Sequence, residues 1–322
     1  MNTKRPRPGQ GGVVAFLHIP KTAGTTLNAI LAKQYSPDET REIMMRGMSW
    51  LVPRPTLVPK PLISFSKILR LKSALRYGRS VRMIHGHFDL SIKELLPNDV
   101  RLFTFLRDPV ERAISHYYHY RRQTGDPVQP LAMRSTLEEW VGDCGLVEMD
   151  NGQTRRLAGE MNLPCGRVTQ ALLERAKSNL ARNFAVVGLT EQFEESLILL
   201  QHAFGWPLHR FALRNVGGDR PRRDEVSEET LKVLQDCNRH DLDLYRFAVA
   251  LFERAASRID MAGELARLRA APERRRTSRQ PVAETARAVR DHAPVGAPAI
   301  DRPSPERKPS RSARTPRDAG PP

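Results

Sequence analysis

The stretch FLHIPKTAG, from Phe16 to Gly24, decides the fold. It begins as an apolar run of strand character, breaks into Pro-Lys-Thr-Ala-Gly, and passes at Thr25 into a helical pattern that lasts to Gln34. A strand, a short basic loop and a helix start, in that order, make an anion site. Exposed N–H groups and the positive end of the helix dipole both meet at the loop. The ATP-binding loop reads G-x-x-x-x-G-K-[ST], whereas Lys21 precedes the glycine here by three residues. The stretch is therefore a phosphate loop without the ATP signature.

Working outward, Val13–Ile19, Val81–His85, Arg101–Leu106 and Ala185–Leu189 read as buried strands. Between them lie helical patterns. Asp108, Pro109 and Glu111 form a capping-box start for a helix over Pro109–Arg122. Thr190 is expected to cap a helix running through Phe204, and Ser227 with Glu228 and Glu229 to open one long helix to Arg254. Strands alternating with helices predict an α/β fold with a mostly parallel sheet flanked by helices, a P-loop-like three-layer arrangement. Ligands of such sheets sit beyond the carboxyl ends of the strands. The chemistry is thus expected in IPKTAGTT after the first strand, HGH after the second and RDP after the third.

The chain has 322 residues, 40% of them hydrophobic, which suffices for a sizeable core. Its formal charge of +16 points to anionic partners. Half of that charge falls in Leu265–Pro322, where fourteen Lys and Arg face six Asp and Glu among prolines and serines without one aromatic residue. Such a stretch cannot offset its ordering entropy by burial. The sequence is accordingly divided into a disordered N-terminal segment at 1–12, one α/β domain at 13–263 and a disordered basic tail at 264–322. Three cysteines, Cys144, Cys165 and Cys237, have neither disulfide-framework nor metal spacing, so no metal is expected. No apolar run is long enough for a secretory core or a membrane span, and the default reading is a cytoplasmic protein.

FLHIPKTAGTTL, IHGHFDL, FTFLRDPVERAISHYYHYRR and VVGLTEQFEESLILL together resemble the sulfotransferase family that includes the heparan sulfate 2-O-sulfotransferases and their bacterial relatives. The resemblance covers Val13–Glu253, with the motifs in the family's order. It implies a co-substrate, 3′-phosphoadenosine 5′-phosphosulfate (PAPS), and metal-free transfer of its sulfuryl group to an acceptor hydroxyl, with a saccharide as the expected acceptor. A sulfuryl group in flight carries less negative charge than a phosphoryl group, so a lysine and a few N–H donors can neutralise the leaving 5′-phosphate.

By this resemblance Lys21 meets the bridging oxygen, and Thr22, Ala23, Gly24, Thr25 and Thr26 wrap the 5′-phosphosulfate, with Thr25 or Thr26 also open to a helix-capping role. Arg107 and Ser115 match the family's 3′-phosphate site, where a planar guanidinium suits a phosphate. The second histidine of H-G-H, His87, takes the general-base role, and His85 is structural or supporting. Arg214 and Arg220, in LRNVGGDRPRR, fall where relatives close a loop over the 3′-phosphate. Arg112 either binds or solvates its helix, and Arg155 or Arg156 either meets an anionic acceptor or is solvated. Met45–Pro61 and Gln123–Met149 are expected to shape the acceptor pocket.

Two other classes compete with the enzyme reading. A nucleotide-dependent kinase shares the fold class, but the G-K-[ST] element and an acidic metal ligand on the second or third strand are missing. A polyanion-binding protein acting through its basic tail fits the charge, yet no zinc-finger or RRM pattern accompanies it.

Overall fold

The structure, a computed structural model, describes residues 12–43, 81–142, 145–207 and 220–270. The basic segment Phe65–Tyr77, Arg214, the acceptor-loop residues 44–61 and the tail beyond residue 270 lie outside them. The expected sheet is present, with strands β1 (Val14–Leu17), β2 (Thr40–Glu42), β3 (Met83–Gly86), β4 (Arg101–Leu106) and β5 (Phe184–Leu189). Their order is β2-β3-β1-β4-β5 and every pairing is parallel. β1 thus lies at the centre, with β3 on one side and β4 on the other. The chain crosses over β1 between these two, which opens a crevice at the carboxyl ends of the three strands.

Apolar runs account for this arrangement. VAFL in β1 is buried throughout, and all of β4 after its first residue is buried, as befits strands covered on both faces. One large core gathers Phe16, Leu17, Ile84, Phe103, Phe105 and Leu189 with Leu27 and Ile30 of helix α1 (Gly24–Gln34). A smaller core around Trp140 joins α2 (Pro109–Arg122), α3 (Gln129–Arg134), α4 (Leu137–Gly142) and α8 (Glu228–Cys237).

Several boundaries differ from the sequence reading, each for a local reason. The capping box of α2 is only half formed. Asp108 Oδ1 accepts from the amides of Val110 and Glu111, both at 3.0 Å, but the amide of Asp108 donates to Glu191 Oε1 instead of Glu111. Thr190 does not cap α7 (Phe193–Phe204); its hydroxyl donates to Leu106 O at 3.0 Å and ties the end of β5 to β4.

The long helix expected from Ser227 to Arg254 is two, α8 and α9 (Arg239–Ala256), broken at Asn238. Asn151, itself left-handed at φ 53, explains the break. Its side-chain oxygen accepts from the amides of His240 (2.8 Å) and Asp241 (3.1 Å) and so caps α9. Asp241 returns the contact. Its carboxylate accepts from the amides of Gln153 (3.0 Å) and Thr154 (2.7 Å) in the first turn of α5 (Gly152–Ala158). Helix α6 (Gln170–Asn183) precedes β5, and α10 (Met261–Ala270) runs past the boundary expected at residue 263, with Arg269 paired to Glu194 of α7 at 2.8 Å.

Candidate active site

The loop after β1 turns through two left-handed residues that are not glycine, Lys21 at φ 70 and Ala23 at φ 63. Such conformations cost on the order of 1 kcal/mol each and cluster where a backbone is shaped for a ligand. Thr22 between them is fully buried, and its hydroxyl donates to Ile19 O at 2.8 Å, so its amide is what remains to meet an anion. The first helical bonds of α1 run from the amides of Thr26 and Leu27 to Ala23 O, both at 3.1 Å. The amides of Gly24 and Thr25 therefore point out of the helix start. Thr25 is exposed and Thr26 buried.

Gly24 is required by its neighbour. A Cβ there would fall 1.7 Å from Nε2 of His18 and 2.0 Å from its Cε1. His18 is also stacked between Phe16, at 5.1 Å, and His87, at 4.2 Å.

His87 reaches this position because Gly86 breaks the alternation of β3. Gly86 has φ +141, and a Cβ on it would lie 2.0 Å from Ile43 O. His85 stays within reach of the Glu42 charge at the β2 edge, while His87 turns to the end of β1. The two histidines of H-G-H are thus separated. His87 Nδ1 lies 3.0 Å from His18 O, and since a carbonyl only accepts, Nδ1 carries the proton and the lone pair sits on Nε2. Burial pushes the pKa of His87 down to about 4, with the Arg156 guanidinium adding to it.

Arg107 extends from the end of β4 into the same crevice. Its Nη1 donates to Lys21 O at 3.2 Å, its Nη2 to Glu111 at 3.4 Å, and among the described residues its buried Nε has no hydrogen-bond partner. Gln153 grips its backbone from both sides, through Arg107 N to Oε1 at 3.1 Å and Nε2 to Arg107 O at 2.9 Å.

Arg220 joins from the other side, with Nη2 at 2.8 Å from Glu111. Ser115 is half-buried one turn beyond Glu111, and the spacing of Glu111, Ser115, His119 and Arg122 puts all four on one face of α2. That face looks toward Lys21. Burial pushes the Lys21 ammonium down to about 8, with Arg107, Arg122 and Arg220 adding to it. Burial, then Lys21 and Arg122, takes His119 down to about 4. Lys21, Arg107 and Arg220 are thus brought together, Ser115 lies on the α2 face that carries Glu111, and His87 stands beside the same loop.

The remaining candidates play another part. Arg155 and Arg156 are fully buried instead of solvated or directed to an acceptor. Arg155 is paired with Asp150 and donates to Leu163 O at 2.6 Å and Pro164 O at 2.9 Å. Arg156 is paired with Glu148, which also takes Arg112 at 3.4 Å, and Arg112 lies 3.8 Å from Asp241. Sequence reasoning missed His18, Gln153, Glu148 and Asp241. His18 stands in FLHIPKTAG and Gln153 in NGQTRRLAG, whereas Glu148 and Asp241 stand in no motif. Except for the Glu148–Arg156 pair, eight residues apart, Gln153, Glu148 and Asp241 act on partners 36 or more residues away, which no local pattern reveals.

The galactose-3-O-sulfotransferase family model matches residues 2–311 of the chain. Heparan-sulfate 6-O-sulfotransferase 1 of Homo sapiens is 28% identical over 276 residues, an alignment covering 75% of this chain and 66% of that protein. Heparan-sulfate 6-O-sulfotransferase 2 of Danio rerio is 27% identical, covering 74% and 58%. Heparin sulfate O-sulfotransferase of Drosophila melanogaster is 24% identical, covering 75% and 72%. The chain thus spans slightly under two thirds of the human protein it matches. The sulfotransferase resemblance of the four motifs is borne out, with 6-O enzymes among the relatives. On the match along nearly its whole length, the chain belongs to the galactose-3-O-sulfotransferase family.

Proposed function

We propose that the protein transfers the sulfuryl group of PAPS to a hydroxyl of a saccharide. The observation that carries this reading is the convergence of Lys21, Arg107 and Arg220 on the loop after β1, with the His87 ring held beside that loop by His18. PAPS supplies a sulfuryl group on a phosphate leaving group, and this site offers cations for both of its charged ends. The buried Nε of Arg107, 4.0 Å from Glu191 and without a hydrogen bond among the described residues, is a donor suited to one of them. The names of the relatives, which act on heparan sulfate, support a saccharide acceptor.

In this mechanism His87 Nε2 takes the proton of the acceptor hydroxyl as that oxygen attacks sulfur in line. The Lys21 ammonium and the amides of Thr22 to Thr26 meet the charge left on the departing 5′-phosphate. Arg107, Ser115 and Arg220 hold the 3′-phosphate, which fixes the nucleotide for in-line geometry. Arg214 and the basic tail are read as further contacts, to the nucleotide and to an acidic glycan.

Calorimetric titration with 3′-phosphoadenosine 5′-phosphate (PAP) tests the donor site, with adenosine 5′-phosphate and ATP–Mg²⁺ as controls. Metal-free binding that depends on the 3′-phosphate is expected. Preference for ATP–Mg²⁺ would overturn the reading in favour of a kinase. Transfer of ³⁵S from labelled PAPS to a panel of desulfated heparan oligosaccharides then tests the acceptor class.

A further inference from the structure

Glu111 was singled out by its place in the α2 start, yet its carboxylate does not cap the helix. Instead Oε2 receives two guanidinium groups at once, Arg220 Nη2 at 2.8 Å and Arg107 Nη2 at 3.4 Å. Arg220 also reaches the Glu111 carbonyl at 3.5 Å, and Arg107 the Lys21 carbonyl at 3.2 Å. One carboxylate oxygen therefore sits between the two forks, on the side of α2 that carries Ser115. A cavity of about 640 Å³ opens beside it, lined by Glu111, Arg220, Arg222, Arg223 and Leu231 among others. All three charged side chains are partly exposed, at 24% for Glu111, 14% for Arg107 and 20% for Arg220, so the carboxylate has water to turn into.

We propose that Glu111 is an internal competitor in the donor site, whose carboxylate occupies the position between Arg107 and Arg220 that a 3′-phosphate dianion takes and is displaced when such a dianion binds. This inference rests on the sulfotransferase reading. A phosphate monoester carries up to two charges and three acceptor oxygens, enough to satisfy both forks and displace a single carboxylate. A 3′-hydroxyl offers neither charge nor a second acceptor, so it leaves the carboxylate in place. Glu111 thereby lowers the affinity of the site for a ligand that brings a 3′-phosphate and leaves a ligand without one unaffected. The ordinary role of a carboxylate beside an arginine, holding it in position for its ligand, has the opposite consequence on removal.

The test is calorimetry with PAP and adenosine 5′-phosphate on the wild type, Glu111→Gln and Glu111→Asp. Glutamine keeps the shape and removes the charge, and aspartate keeps the charge but is too short to span both arginines. In Glu111→Gln, PAP is expected to bind about tenfold tighter, the scale of one charged hydrogen bond no longer displaced. Adenosine 5′-phosphate should change by less than about twofold, and Glu111→Asp should fall between wild type and Gln for PAP. Weaker PAP binding in Glu111→Gln, or equal gains for both nucleotides, overturns the proposal and makes Glu111 a support for the arginines. A wild type that does not distinguish the two nucleotides overturns the sulfotransferase donor site itself, whatever the variants do. Thermal unfolding of each variant without nucleotide checks that the chain is folded.

Discussion

His87 and His18 are joined twice: the Nδ1–H of His87 donates to the His18 carbonyl at 3.0 Å, and the two rings stack at 4.2 Å. His18 is in turn wedged against Gly24 of the phosphate loop. His87 and the loop after β1 are therefore one packed unit, and on the proposed mechanism this keeps the base in one tautomer and at a fixed distance from the reacting centre.

Replacing His87 with Ala is expected to lower kcat by about 10²–10⁴-fold, the usual contribution of a general base. PAP affinity should stay within about threefold, because the proposed mechanism gives the nucleotide to other residues. Stopped-time assays with calorimetry measure both. A comparable loss of PAP binding would assign His87 to the architecture of the site and not to proton transfer.

Lys21 titrates near 8 because burial and three arginines disfavour its charge. Its charged form is thus lost as pH rises through that value, and kcat/KM for the donor should fall on the alkaline side of about pH 8. Lys21→Arg, charged at any accessible pH, should abolish that limb while retaining part of the activity, whereas Lys21→Ala should lose on the order of 10²–10³-fold. A pH profile identical in Lys21→Arg and wild type would assign the limb to another group.

His87 and His119 are pushed to about 4, and His18 and His116 well below the ordinary histidine value, each chiefly by burial. In the unfolded chain the same rings take up protons near the ordinary pKa of 6.5, as in model compounds. Between the two values the unfolded state binds more protons, so the stability present above pH 6.5 is lost as pH falls toward about 4. A fully buried histidine adds a slope of up to about 1.4 kcal/mol per pH unit in that window, and the more exposed His119 adds less because solvent screens it. Urea titrations at several pH values measure it, and His119→Gln should flatten the slope by its smaller share.

Glu148 is the shared carboxylate of Arg112 and Arg156, and all three side chains are buried. Glu148→Ala takes from Arg156 its paired carboxylate and leaves Arg112 only the more distant Asp241, at 3.8 Å, and is expected to cost about 3–5 kcal/mol of stability. Denaturant unfolding decides it, and a cost below about 1 kcal/mol would mean that solvent reaches the arginines.

Gly86→Ala meets both a positive φ and a carbonyl 2.0 Å from the new Cβ, so either β3 or the chain at Ile43 has to move. The expected result is a loss of about 2–3 kcal/mol together with a fall in kcat, since His87 follows Gly86 directly. Unchanged kcat in a destabilised variant would show that the His87 position does not depend on this turn.

The sheet was legible because its strands are short, apolar and buried on both faces, so that VAFL and RLFTFL need no partner to be recognised. The ligand loops were legible for the same reason, since they begin where those runs end. The three-residue edge strand Thr40–Glu42 was not, because its pattern of half-buried and exposed polar residues carries no period. Arg155 and Arg156 misled because an arginine pair reads as surface until its carboxylates are known, and Glu148 and Asp150 acquire that role only through tertiary contact. The break at Asn238 is similar: nothing in NRHDLDLY stops a helix, and the capping oxygen comes from Asn151.

The mutual capping of α5 and α9 also orders events in time. Lys21 and Arg107 leave the ribosome early, but the backbone of Arg107 is held by Gln153, whose helix start is completed by Asp241. A nascent chain therefore presents its phosphate loop well before the guanidinium opposite it is fixed, and the site becomes competent only after the last third of the domain has been synthesised.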